Sequence, residues 1–180
     1  MCEYTTKEFH MSTRSTIGYI DPKDGLFHYI FCHWDGYLSN NGRILRDHYK
    51  DLKKVKRLVA LGSISSLEPH VSVRTAPKPW THRYWRAGDT MNSYPQFVKK
   101  HTFETPVAGV TVAYHRDRGE DWDSVKPMIS GKPHLEEEWS YYYHDGKWYF
   151  TMYRMGHTWR EIPEGDLKAA QDALYKELGD

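Results

Sequence analysis

Long apolar runs are missing from this chain of 180 residues. None approaches the roughly 20 residues that a bilayer-spanning helix needs, and the first ten, MCEYTTKEFH, hold no apolar signal core. A cytoplasmic protein that neither spans nor crosses a membrane is expected on those grounds. Cysteine is scarce as well. Cys2 and Cys32 alone are too few for a disulfide framework and lack metal spacing, which suits a reducing compartment. Net charge is lacking too: 25 Lys and Arg stand against 24 Asp and Glu, so no global field favours nucleic acid or an anionic membrane as partner. The catalytic signatures that would name an enzyme class are also absent, with no Gly-x-Ser-x-Gly, no Walker A sequence and no dinucleotide fingerprint.

Aromatic residues are plentiful, at 15% of the chain, with 14 Tyr and 7 Trp against 6 Phe. Tyr and Trp bury an apolar body and keep a polar tip, so this bias suits a wet pocket or an interface as well as aromatic strands in a small sheet. The length fits one domain. Residues 1–10 read as a polar extension and 11–180 as a single α+β domain. Cys2, directly after Met1, would be an N-terminal nucleophile if methionine were removed, but nothing around it supports that role.

Arg14 to Ile20 and Leu26 to Trp34 read as a hairpin around the turn-rich Asp21-Pro22-Lys23-Asp24-Gly25. The second strand is apolar on both faces, as an interior strand is. Ser39, Asn40 or Asn41 can then cap a helix whose apolar stripe runs from Ile44 to Val59 and ends at Gly62. Lys53, Lys54, Lys56 and Arg57 lie on its other side, as a solvated face or as phosphate contacts. From Ser63 to Thr105 periodicity fades, with Val71 to Arg74 a short strand at most. This excursion carries Trp80, His82, Arg83, Tyr84, Trp85 and Arg86, which read equally as a stacking and phosphate-binding cluster or as a satellite core. Gly109 to His115 is patterned as a strand. Asp145-Gly146 marks a hairpin between Glu138 to His144 and Lys147 to Arg154. A short strand from His157 to Ile162 follows. Pro163 to Asp166 opens a last helix with a stripe of Leu167, Ala170, Leu174 and Leu178 that should dock on the sheet. The sum is a mostly antiparallel sheet of about five or six strands with a helical layer over residues 41–62 and a C-terminal helix.

The stretch from Phe31 to Gly42, FCHWDGYLSNNG, sets polar and aromatic groups where a strand pattern gives way to a helix pattern. Trp34 and Tyr37 could stack on a planar ring, Asn40 and Asn41 could read its edge, and Arg14, Arg116 or Arg118 could take phosphate. The same residues have structural readings: Trp34 and Tyr37 as packing, Asp35-Gly36 as a turn and Asn41 as a cap. The arginines of Arg116-Asp117-Arg118-Gly119-Glu120-Asp121 are either satisfied by their neighbouring carboxylates or held by them towards an anion. This cluster ends a strand pattern, as His33 to Tyr37 does, so the two are expected at one end of the sheet. If the protein is an enzyme, His33 and Asp35 are the candidate catalytic pair. His33, Asp35, His48 and His115 match no metal motif, so neither a metal nor a cofactor is expected.

The segments Met-Ser-Thr-Arg-Ser-Thr-Ile at 11–17, Cys-His-Trp-Asp-Gly-Tyr at 32–37, Gly42, Leu45 and His48-Tyr49, Leu58 to Leu67, Tyr-His-Arg-Asp-Arg-Gly-Glu-Asp at 114–121 and Asp-Gly-Lys-Trp-Tyr at 145–149 together resemble a family of small tailed-bacteriophage and prophage proteins. The resemblance covers most of residues 11–153, outside the Trp80 to Trp85 region. It implies a phage accessory protein in the host cytoplasm, and with no activity attached to the family it transfers no site. Counter-defence by binding a nucleotide-like phosphorylated ligand in a His/Trp/Asp/Arg pocket is the leading expectation. The alternatives are an inhibitor of a host bacterial protein and a hydrolase of a phosphorylated or nucleotide substrate.

Overall fold

The computed structural model describes residues 12–78, 80–84 and 100–179. The fold is α+β, built on a mixed sheet of eight strands in the order β4-β3-β2-β1-β6-β7-β8, with β5 also paired to β2. The strands are β1 (Ser15–Ile20), β2 (Phe27–Cys32), β3 (Ile64–Ser66), β4 (Val112–Ala113), β5 (Met128–Ser130), β6 (Trp139–His144), β7 (Lys147–Met152) and β8 (Arg160–Glu161). The count exceeds the expected five or six because β3, β4 and β5 are only two or three residues long, too short for an alternating pattern to register. Most pairings are antiparallel. The exceptions are β1 with β6 and β2 with β3, which run parallel.

β1 sits at the centre, and its polar residues are paired rather than exposed. Thr16 Oγ1 and Ser140 Oγ share a hydrogen bond of 2.6 Å between β1 and β6. Gly18 has no side chain because a Cβ there would lie 2.3 Å from the His28 carbonyl oxygen. The β6–β7 hairpin turns through Asp145 and Gly146, both at positive φ, as the Asp-Gly signal requires. Trp139, Tyr141, Tyr143, Trp148, Phe150 and Met152 point inward from it to the main core, in keeping with strand alternation.

The helical layer departs from the single stripe read in the sequence. A π-helical turn (Leu38–Gly42) leads into α1 (Arg43–His48), the chain breaks over Tyr49 to Asp51, and α2 (Leu52–Val59) begins anew. None of Ser39, Asn40 or Asn41 caps the first segment. Asp51 caps α2 by accepting from Lys54 N–H at 2.9 Å. The break is stabilised by aromatic tips from the sheet: Trp148 Nε1 donates to Tyr49 O at 2.8 Å and Tyr143 OH to Lys50 O at 3.2 Å. The Tyr and Trp bias thus has a structural use, with rings filling the core while their polar ends satisfy carbonyls that an interrupted helix leaves open.

α4 (Leu167–Glu177) is capped by Asp166. It meets the sheet where Tyr175 contacts the Trp139 ring, and its buried Gln171 accepts from Ser39 N–H at 3.0 Å. A four-residue helix, α3 (Trp122–Val125), was not expected from the sequence. Val71 to Arg74 forms turns, and the strand expected over Gly109 to His115 is confined to Val112–Ala113 before a second π-helical turn, Tyr114–Arg118. Ala76, Val107 and Val110 make a satellite core with Val73 and Trp80, which gives Trp80 of the excursion cluster its packing role. Trp85 and Arg86 lie outside the described residues. Among the described residues no helix is long and apolar enough to cross a membrane.

Candidate ligand-binding cleft

Beyond β2 the chain stays beside β3 for two more residues, with His33 N–H donating to Ile64 O and Trp34 N–H to Ser65 O, each at 3.1 Å. It then bends sharply. Asp35 takes φ 55, a left-handed conformation rare for a residue with a side chain. Gly36 passes so close to β1 that a Cβ would sit 2.8 Å from Ser15 Cβ and 2.9 Å from the Arg14 backbone. The bend is fastened from below by Asn41, which has no solvent exposure. Its Nδ2 lies 3.2 Å from Ser15 Oγ, 3.4 Å from Cys32 Sγ and 3.5 Å from Trp34 O, and its Oδ1 accepts from Asn40 Nδ2 at 3.0 Å. Asp35 O accepts from Asn41 N–H and from Asn40 Nδ2, both at 3.3 Å. Tyr141 OH holds Gly36 O at 2.6 Å. The two asparagines therefore build the bend, which explains why so many polar groups meet at this junction.

What the bend presents is an open cleft of about 1220 Å³. Its floor includes Thr16 and Phe31, on the sheet face opposite the core residues Ile17 and Ile30. His33, Trp34, Asp35 and Asn40 border one side, and Arg118 and Glu120 border another. The two strand-end segments read from the sequence thus face one space. Trp34 is 43% exposed, and its ring meets the His33 imidazole edge to face at 4.6 Å.

The other expected site residues lie elsewhere. Arg14, Tyr37, Asn41 and Arg116 do not line the cleft. Arg14 is exposed, and Tyr37 packs against the main core. Arg116 is a strut: its guanidinium donates to Val71 O and Thr111 O, each at 2.6 Å, and to both oxygens of Asp117 at 2.9 and 3.0 Å. Asp117 is almost fully buried, and it also accepts from Ala113 N–H at 2.7 Å and from His101 Nε2 at 3.2 Å. Because His101 Nδ1 accepts from Val107 N–H at 2.9 Å, its proton is on Nε2 and points at Asp117. Burial alone would raise the Asp117 carboxyl, but the bonds from His101, Arg116 and Ala113 outweigh it and hold it at about 2. Arg118 lies over the Phe103 and Tyr114 rings at 4.5 and 4.8 Å and pairs with Glu120.

Glu68, which no motif or periodicity marks, enters the cleft two residues after β3. Its N–H donates to Thr111 Oγ1 at 3.0 Å and its carbonyl accepts from Tyr49 OH at 2.7 Å. Burial pushes its carboxyl above the ordinary value, Arg83 pulls it back, and Asp35 adds to the rise. Arg83, from the excursion cluster, donates to Ser66 Oγ and Val110 O at 2.8 Å and stands 3.4 Å from Glu68. Arg43 and Tyr84 complete this end of the cleft.

Nucleophilic chemistry at Cys32 is disfavoured. The thiol is fully buried, and desolvation pushes it up to about 11, so the reactive thiolate is scarce near neutrality. His48 and His115 do not border the cleft. Among the described residues the one grouping with ligand atoms close enough to share a metal is Asp21 and Asp24 of the β1–β2 turn with His28 of β2. There Lys56 already sits 3.2 Å from Asp21, and Asp24 holds His28 at 2.8 Å. Compared with family models, with curated proteins and with solved structures, the chain gives no match.

Proposed function

We propose that this protein binds a nucleotide-like small molecule in the cleft bordered by His33, Trp34, Asp35, Asn40 and Arg118. The observation that carries the reading is the convergence of an exposed indole, a second ring and a guanidinium on one open volume of about 1220 Å³. That volume is slightly above the ~300–1,000 Å³ usual for small-molecule clefts. The base would stack on Trp34. A single phosphate would meet Arg118, held in place by the faces of Phe103 and Tyr114, or the exposed Arg43. The resemblance to phage proteins supports a counter-defence role in the bacterial cytoplasm, in which such binding would sequester a signalling nucleotide.

The test is calorimetric titration with mono-, di- and cyclic nucleotides on the wild type and on Trp34→Ala. Stacking on one aromatic ring contributes ~1–3 kcal/mol, so the variant should bind about tenfold or more weakly. Its fold should survive, because Trp34 is 43% exposed and lies outside the main core. Turnover that is lost in His33→Ala while binding survives would make the protein a hydrolase. A well-folded protein that binds no nucleotide would sink the proposal and leave inhibition of a host protein as the function to pursue.

A further inference from the structure

We infer that Glu68 sets the specificity of the cleft by accepting the vicinal hydroxyls of a ribose; this deepens the nucleotide reading above and rests on it. The charge of the walls leads to this conclusion. Carboxylates at Asp35, Glu68 and Glu120, joined by Glu136 and Glu137, outnumber the guanidiniums of Arg43, Arg83 and Arg118. Two of those three arginines already face carboxylates, Arg83 at Glu68 and Arg118 at Glu120. A polyphosphate would therefore meet a net negative wall, whereas hydroxyl groups are donors that a carboxylate accepts without charge repulsion.

Glu68 is the carboxylate best built for that task. Its backbone is clamped by Thr111 and Tyr49, so its side chain starts from a fixed point, as a precise binding group must. Its ion pair with Arg83 spans 3.4 Å, longer than a strong charge-assisted hydrogen bond. Acceptor capacity is thus left for a ligand, while Arg83 is anchored elsewhere by Ser66 and Val110. Asp35, held in its left-handed bend, adds a second negative charge to the electrostatic environment of Glu68. A hydroxyl donor adds no charge to that environment. A phosphate on the 2′ position would add negative charge to it. Acidic side chains read the ribose 2′-hydroxyl in dinucleotide sites on unrelated folds by the same chemistry.

The experiment is titration of the wild type, Glu68→Ala and Glu68→Gln with the four ribonucleoside 5′-monophosphates, their 2′-deoxy counterparts and adenosine 2′,5′-bisphosphate. Losing a hydrogen bond to a charged acceptor costs ~1.5–3 kcal/mol, so the wild type should prefer ribose to deoxyribose by about tenfold or more. Glu68→Ala should erase that preference by weakening ribose binding alone, and it should improve binding of the 2′-phosphorylated compound. Glu68→Gln, which retains the shape of the side chain, should keep part of the ribose preference. Equal binding of ribo- and deoxyribonucleotides by the wild type overturns the assignment of Glu68 while the nucleotide reading stands. Binding of none of these compounds overturns both. Equal affinity for ribo- and deoxyribonucleotides in the wild type overturns the assignment even where a variant fails to fold.

Discussion

Asp117→Asn should destabilise the protein by about 2–4 kcal/mol, because an almost fully buried carboxylate gives up its role as acceptor for several donors. Every group around this carboxylate is a donor: the Arg116 guanidinium, His101 Nε2 and Ala113 N–H. An amide in its place would turn one oxygen acceptor into an NH2 donor among donors. Arg116 would also lose its counter-charge while still bound to Val71 O and Thr111 O. Urea unfolding at neutral pH measures the loss.

The same residue makes stability depend on pH. The Asp117 carboxyl lies at about 2, against an ordinary value of 3.8. The unfolded chain therefore takes up a proton before the folded one does. The stabilisation is complete above about pH 5 and is lost as pH falls through 3.8 to about 2, a contribution of about 2 kcal/mol. In Asp117→Asn this segment of the acid limb should disappear. Parallel denaturant curves between neutrality and pH 2 on the two proteins read it as a difference, so the other carboxylates cancel. An identical acid limb in both would show that Asp117 does not hold the network as described.

Asn41→Leu is expected to cost about 2–4 kcal/mol and to weaken ligand binding with it. The side chain is fully buried and ties Ser15, Cys32, Trp34 O and Asn40 together beneath the bend. Leucine is of similar size but leaves those polar groups without their partner. The strained Asp35 conformation would then lose its support, and Trp34 and Asp35 would no longer hold their places at the rim. Asn40→Ala, removing a partly buried neighbour, should cost less than about 1 kcal/mol. Unfolding measured by far-UV circular dichroism, paired with nucleotide titration, separates the two effects. A loss of stability without a change in affinity would uncouple the bend from the cleft.

The strand hairpins and the C-terminal helix were legible because each pattern runs for six or more residues, and the Asp-Gly turn because that pair by itself signals a hairpin. The split between α1 and α2 was not. Its apolar stripe continues across the break, and the groups that stabilise the break, Trp148 and Tyr143, come from strands nearly a hundred residues away. Site residues divided along similar lines. His33, Trp34, Asp35 and Asn40 share one short segment, so local reading placed them together. Arg116 and Asn41 have the right chemistry for a ligand, but their partners Val71 and Ser15 are distant in sequence and spend that chemistry internally. Glu68 follows a three-residue strand with no signature, and only the tertiary fold brings it beside Arg83.

The central strand also has a kinetic consequence. β1 pairs with β2 a few residues away, but its other edge waits for β6, with Thr16 meeting Ser140 at a sequence separation of 124. During synthesis that edge has no neighbour until most of the chain has emerged. Joining it requires closing a long loop, which slows folding and leaves hydrogen-bonding groups open to a second nascent chain. Refolding should accordingly be slow and concentration-sensitive, and fragments ending before Trp139 should aggregate rather than accumulate as a soluble half-domain.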